Sequence, residues 1–239
     1  MPRRRPRTSV RHSRSVQLVL VRHAQPGRVL TTSGPADPEL TELGVAQAAR
    51  VPEVIARLAA GGHRIARVVS SPQRRARATA TPTAQYLGLP VDIVDGLAEY
   101  DRDLPAYIPI EEAKRDFRAS YERIKSGHLP DQIDGPAFID RVLSAVADLV
   151  AAADPADTVV AFAHGGVINV LLQDILGLER PLTFPIDYCS ITRILFSRSG
   201  TRTAATINEN SHVWELLPRN RDVPPAPALP PLPPTESAG

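Results

Sequence analysis

Arg22-His23 and His164-Gly165-Gly166 are the residues of this 239-residue chain whose types and placement could do chemistry. Each His closes a short apolar run: Val16-Gln-Leu-Val-Leu-Val-Arg-His23 in one case, Val159-Val-Ala-Phe-Ala-His164 in the other. A strand end holds an imidazole in a fixed place. A neighbouring guanidinium, which cannot lose its charge, binds the non-bridging oxygens of a phosphoryl group as a two-pronged fork. A single Arg-His pair reads more simply as a solvated polar turn. Two strand-end histidines, each at a switch from strand to helix, are hard to explain as packing and point to attack on phosphorus. Neutral imidazole can attack in line, form a phosphohistidine and split one hard displacement into two easier ones.

Five blocks in chain order resemble the histidine phosphatase superfamily, also called phosphoglycerate mutase-like. They are Arg22-His23-Ala24, where the family usually has Gly third; Asp37-Pro-Glu-Leu-Thr41-Glu-Leu-Gly44-Val-Ala-Gln47-Ala48; Ser70-Ser71-Pro72-Gln-Arg-Arg75-Ala76-Arg-Ala-Thr79-Ala80; Gly96-Leu97-Ala98-Glu99-Tyr100; and His164-Gly165-Gly166. The resemblance implies that His23 is the nucleophile, with Arg22, Arg75 and the Gly165 amide on the phosphate. His164, protonated when phosphate is bound, is implied as a further donor. Arg75 is chosen over Arg74 and Arg77 by the family spacing after Ser71-Pro72. The same kind of spacing, after Leu97, selects Glu99 over Asp101 and Asp103 as general acid and base. A carboxyl beside a phosphate has its pKa raised by the like charge, which suits that work. Gly165 lacks a side chain that would keep its amide from the ligand. The helix expected near Gln73 would aim its positive end at the same rim.

The stretch after Glu99 separates the branches of the family. Mutases follow the acid with Arg-His-Tyr-Gly, and the broad-specificity and fructose-bisphosphatase branches with an aromatic-Gly pair. Tyr100-Asp-Arg-Asp-Leu-Pro105 departs from both. The bacterial phosphohistidine phosphatases lack the acid altogether. The resemblance therefore implies a phosphatase hydrolysing a small phosphorylated substrate, a phosphomonoester, through phospho-His23. A phosphoglycerate mutase-like phosphotransferase and a non-catalytic phospho-ligand binder stand as alternatives. Residues 101 to about 136 are expected to form a lid, with Tyr100, Arg102 and Tyr107 as specificity contacts. No His, Cys or acidic cluster has metal-ligand spacing, and fixed arginines serve an anion without one, so neither metal nor cofactor is expected. His12, His63, His128 and His212 read as structural or exposed.

The elements that must position these residues follow from pattern. Apolar runs of strand length alternate with helical patterns, which argues for βαβ units and a largely parallel sheet. Expected strands are 16–21, 66–70, 91–94, 158–163, 192–196 and 203–207. The last two flank Ser199-Gly200 as a hairpin, giving an antiparallel edge. Expected helices run from a Thr41 cap to about Ala60, from Gln73 to Leu87, and from Gly165 to Leu176. Two amphipathic stripes add Ile110, Ala113, Phe117, Tyr121 and Ile124, then Phe138, Val142, Val146 and Leu149. The fold class is α/β: a three-layer αβα sandwich with a mostly parallel central sheet and an antiparallel edge. Parallel strands present ligand-binding loops at their carboxyl ends. Arg22-His23, Ser70-Ser71, Glu99 and His164 all follow expected strands and can share one rim.

Length and composition frame the rest. The chain suits one domain with a sizeable core, and 43% of its residues are hydrophobic. The formal charge of +2 is unevenly spread. Arg3, Arg4, Arg5, Arg7, Arg11 and Arg14 crowd residues 1–15 with no acid among them, so the body is net acidic. Six cations without interleaved aromatics are a weak nucleic-acid signal, and residues 1–15 read as a disordered leader. Residues 16–217 form the expected domain, and the proline-rich 218–239 a disordered tail. There is neither a signal peptide nor a run of ~20 apolar residues, so no membrane is expected. A single cysteine, Cys189, fits a reducing cytoplasm. A homodimer is left open.

Overall fold

A computed structural model describes residues 15–109, 112–113 and 118–221. Its strands are β1 (Val16–Arg22), β2 (Val29–Leu30), β3 (Arg64–Ser70), β4 (Val91–Ile93), β5 (Ala106–Tyr107), β6 (Asp157–Ala163), β7 (Ile191–Phe196) and β8 (Arg202–Glu209). Its helices are α1 (Glu42–Ala48), α2 (Val51–Ala60), α3 (Arg74–Leu87), α4 (Arg118–Lys125), α5 (Gly135–Ala151) and α6 (Gly165–Leu176). Six strands form one sheet in the order β4-β3-β6-β1-β7-β8. β4, β3, β6 and β1 run parallel, whereas β7 and β8 are antiparallel additions on the β1 side. This is the α/β architecture with an antiparallel edge that the pattern predicts.

Side-chain alternation along the strands builds two cores, one on each face. Leu18 and Leu20 of β1 and Val159, Ala161 and Ala163 of β6 pack with Phe138, Val142 and Val146 of α5 and Val167, Ile168 and Leu171 of α6. Val19 and Val21, with Val160 and Phe162, pack instead with Ala48, Val51, Ile55, Ala80 and Ala84 of α1 to α3. Period-2 alternation thus feeds both helical layers, and β6 is buried along its whole length. The amphipathic stripe Phe138, Val142, Val146 and Leu149 is buried in full.

Several expectations change in detail. The helix predicted from Thr41 to Ala60 is two helices that break at Ala49-Arg50. Pro52 supplies the reason: it has no N–H to continue the ladder, and its ring crowds the carbonyl four residues back, at Ala48. It sits instead in the first turn of α2, where both defects are harmless. Of the Ile110 stripe, Ile110 and Phe117 lie outside the described residues, as do the leader up to Arg14 and the tail from residue 222. Folded chain continues past the expected boundary at 217, through a 3-10 turn over Pro218–Asn220. A two-stranded ribbon, β2 with β5, went unforeseen because two residues per strand leave no period to read. Among the described residues no helix is long and apolar enough to cross a membrane.

Candidate active site

A cavity of about 750 Å³ opens where the parallel strands end, and Arg22, His23, Arg75, Glu99 and Gly165 line its inner part. The strand ends are locked to one another beyond their ladders. His23 donates its N–H to the Ala163 carbonyl at 2.9 Å, and Ser71 donates to that of Phe162 at 2.9 Å. His23, Ser71 and His164 therefore leave three adjacent strands at one level.

His23 is 3% exposed. Its Nδ1 lies 2.8 Å from the Ala24 carbonyl. A carbonyl only accepts, so Nδ1 carries the proton and Nε2 keeps its lone pair. Burial, then the charges of Arg75 and Arg22, holds this imidazole well below its ordinary pKa. At neutral pH it is an uncharged base. The loop behind it is braced by the second and third motif blocks. Ala24 donates its N–H to Thr79 Oγ1 at 2.9 Å, and Gln25 donates to Gln47 Oε1 at 2.8 Å. Thr41 caps α1 by accepting the Gly44 N–H and donates to Gln25 Oε1 at 3.0 Å. A Cβ on Gly44 would stand 2.1 Å from the Gln25 carbonyl, so only glycine allows this approach. The Ala24 methyl, where the family usually has glycine, joins the apolar cluster of Val51 and Ile55 and does not line the cavity.

Two guanidinium groups, Arg22 and Arg75, lie in the inner part of the cavity, and Arg219 lines it as a third, paired with Asp187. Arg22 lies over the Tyr188 ring, 4.1 Å from its centroid, and donates Nη1 to the Ile186 carbonyl. Arg75 is fully buried, and its Nη2 donates to both oxygens of Asp101 at 2.8 and 3.0 Å. Among the described residues its Nε and Nη1 have no hydrogen-bond partner. Buried unpaired donors of a charged group are costly, and an anion in the cavity would satisfy them. Arg74 and Arg77 are not on the cavity wall, and Arg74 pairs with Glu39. The N-terminal amide of α3 is already taken: Arg74 N–H donates to the Asp37 carboxylate at 3.0 Å.

Glu99 is held by backbone. Its Oε2 accepts the Gly166 N–H at 2.8 Å, its Oε1 accepts the Tyr100 N–H at 3.1 Å, and its own N–H donates to Gln73 Oε1 at 2.7 Å. Burial, followed by the negative charge of Asp101, pushes its carboxyl up to about 7. Those two amides and Arg75 oppose the shift without cancelling it. His164 is 0% exposed and packs behind His23, with ring centroids 5.1 Å apart. Its Nε2 meets Ser71 Oγ at 2.7 Å. Burial and then Arg75, His23 and Arg22 hold it well below the ordinary imidazole range, so it is neutral here and not a wall of the cavity.

Two expectations need correction. Arg102 does not reach the cavity; it forks onto Asp95 at 2.9 and 3.2 Å on the outer surface. Its neighbours in the turn carry the chain round so that Tyr100 and Tyr107 face inward, the latter under Arg75 at 4.5 Å. His164, expected as a donor on the phosphate, does not line the cavity. A Cβ on Gly166 would stand 2.3 Å from Glu99 Oε1, whereas one on Gly165 would come no nearer than 3.7 Å to Arg22. Residues with a place in the site to which the sequence assigned no role are Ser71, expected only on the shared rim, Gln73, and Asp101, passed over in favour of Glu99. The segment expected as a lid supplies Leu104, Tyr107, Tyr121, Ile124 and Lys125 to the outer wall. His63, His128 and His212 bond elsewhere, to Gln17, Ser126 and the Cys189 carbonyl. Among the described residues no group of three or more His, Cys, Asp or Glu is arranged to hold a metal ion.

Residues 18–209 match the family described as histidine phosphatase superfamily, branch 1. This chain belongs to that superfamily. It is 30% identical over 148 residues to an uncharacterized phosphatase, PhoE, of Bacillus subtilis (strain 168), covering 61% of this chain and 72% of that one. A phosphoserine phosphatase variant from Entamoeba histolytica, solved with phosphoserine, superposes with a TM-score of 0.63 at 25% identity, over 83% of this chain and 99% of that one. A mycobacterial glucosyl-3-phosphoglycerate phosphatase does so with a TM-score of 0.61 at 27% identity, over 82% and 100%.

Proposed function

We propose that this chain hydrolyses phosphomonoesters without a metal, through a phosphohistidine on His23. The observation that carries the reading is a neutral His23, with its Nε2 lone pair available, beside a buried Arg75 that keeps Nε and Nη1 unpaired. His23 Nε2 attacks phosphorus in line while Arg22, Arg75 and the Gly165 amide hold the three non-bridging oxygens. Phosphoryl transfer asks mainly for position and compensating charge, and fixed cations supply both. The P–O bond to the alcohol breaks as P–N forms, and Glu99 in its protonated form, which a pKa of about 7 keeps populated near neutral pH, gives its proton to the departing alkoxide. Glu99 then takes a proton from a water that attacks the phosphohistidine, which frees inorganic phosphate and returns His23. His164 does not line the cavity; it backs the His23 ring and holds Ser71 Oγ, and so supports the site from behind. The similar proteins are phosphatases, which favours hydrolysis.

The test is phosphate release from a panel of phosphomonoesters, including phosphoserine and glucosyl-3-phosphoglycerate, with chelator present. Turnover by the wild-type chain, lowered by roughly 10³-fold or more in His23→Ala, is the expected outcome. Absence of turnover on every ester would sink the reading and bring forward a binder or a primed mutase.

A further inference from the structure

Asp101 ties together two groups that the proposed reaction uses at opposite ends of the scissile bond. Its carboxylate accepts Arg75 Nη2 on both oxygens and Gln73 Nε2 on one, at 3.0 Å. Through the far end of that amide, Gln73 Oε1 accepts the Glu99 N–H. Arg75, Asp101, Gln73 and Glu99 thus form one connected web, and the Asp101 side chain is only 14% exposed.

We propose that Asp101 is a positioning residue for the hydrolysis assigned above: it clamps Arg75 so that Nε and Nη1 face the phosphoryl oxygens, and through Gln73 it is tied to the backbone of Glu99. The clamp follows from geometry. A guanidinium has five donors in a rigid plane, so fixing Nη2 on a carboxylate fixes where the rest point. Without Asp101 the buried fork has a hydrogen bond to no other carboxylate, since Asp37 stands 4.0 Å from Nη1. Asp101 also acts on Glu99 through its charge. Tyr100 flanks it on the same loop, and Arg75 and Gln73 reach it from the start of α3. Arg141 binds the Gly96 and Ala98 carbonyls from α5, Gly166 offers its amide from α6, and neutral His23 lies across the cavity. Asp101 is the negative group in that set, and its repulsion adds to burial in favouring the protonated carboxyl.

This inference rests on the reading of the site as a phosphatase, so its test is independent of turnover. The full-length protein, labelled with ¹³C at the Glu side-chain carboxyl, is titrated by NMR without phosphate. The Glu99 signal is the one missing in Glu99→Gln. The wild-type mid-point is expected near 7, and Asp101→Asn is expected to lower it by about one pH unit. In calorimetry Asp101→Asn binds inorganic phosphate roughly tenfold more weakly, because the fork is no longer aimed. Asp101→Glu keeps the charge, so it holds the mid-point raised while still weakening phosphate binding. A wild-type mid-point in the ordinary carboxyl range overturns the inference before any variant is made. An unmoved mid-point or unmoved phosphate affinity in Asp101→Asn also overturns it, and loss of thermal stability alone would mark a purely structural role. Failure of the phosphatase reading appears elsewhere, as absence of ester turnover by the wild-type chain.

Discussion

At the scale of single residues, one carboxyl must surrender a proton and one imidazole must not hold one. Burial moves both in the useful direction, because it disfavours whichever form is charged. Glu99 goes up to about 7 and His23 goes down. The pH dependence of kcat/KM is therefore expected to fall above about pH 7 as Glu99 loses its proton, and to hold through mild acid until His23 gains one. Glu99→Gln should be slow and should lack the alkaline limb, and a pH–rate profile of both proteins checks this. The same shifts couple to stability with opposite signs. The contribution of Glu99 is present below its unfolded value of 4.5 and is lost as pH rises through about 7. The lowered pKa values of His23 and His164 contribute stability that is present above 6.5 and lost as pH falls.

At the scale of elements, two glycines do different work at two helix starts, and substitution separates them. Gly166, in the first turn of α6, faces side chains, the Glu99 carboxyl and the Tyr100 ring, at 2.3 and 2.9 Å from where a Cβ would stand. Gly166→Ala is expected to fold with little change in melting temperature while kcat falls at least tenfold or so, because the carboxyl must move aside. Gly44, in the first turn of α1, faces backbone at Gln25 that cannot step aside cheaply. Gly44→Ala is expected to cost roughly 1–3 kcal/mol in urea denaturation. Equal effects of the two substitutions on stability would count against this division. Below them, Gln47 spans from Gln25 to the Leu216 carbonyl and so ties the loop after His23 to the C-terminal turns.

At the scale of the whole molecule, the strand ends and the start of α3 bring Arg22, His23 and Arg75 to one cavity, where Arg75 Nε and Nη1 have no hydrogen-bond partner among the described residues. An anion should therefore stabilise the fold by mass action. Inorganic phosphate at about 100 times its Kd is worth roughly 2.7 kcal/mol, or about 5–10 °C in melting temperature for a domain of this size. A thermal melt with and without phosphate measures it. Arg75→Ala should abolish most of the shift, because the unpaired donors leave with the guanidinium.

The sequence by itself pointed to the layered α/β class and to Arg22, His23, Arg75, Glu99 and Gly165, which the structure brings to one cavity. Strand alternation, strand-end histidines and the spacing after Ser71-Pro72 are local signals carried by contiguous residues. The break between α1 and α2 was equally local, because Pro52 lies in plain view. Only the tertiary structure decided which cation faces the cavity. Arg102 and Asp101 are adjacent in sequence, but the turn sends one outward to Asp95 and the other inward to Arg75. It also decided which glycine is required, since that depends on Glu99 arriving from 67 residues away. Side-chain direction in an irregular loop, and the approach of distant strands, are set by packing across the sheet and leave no periodicity in the chain to read.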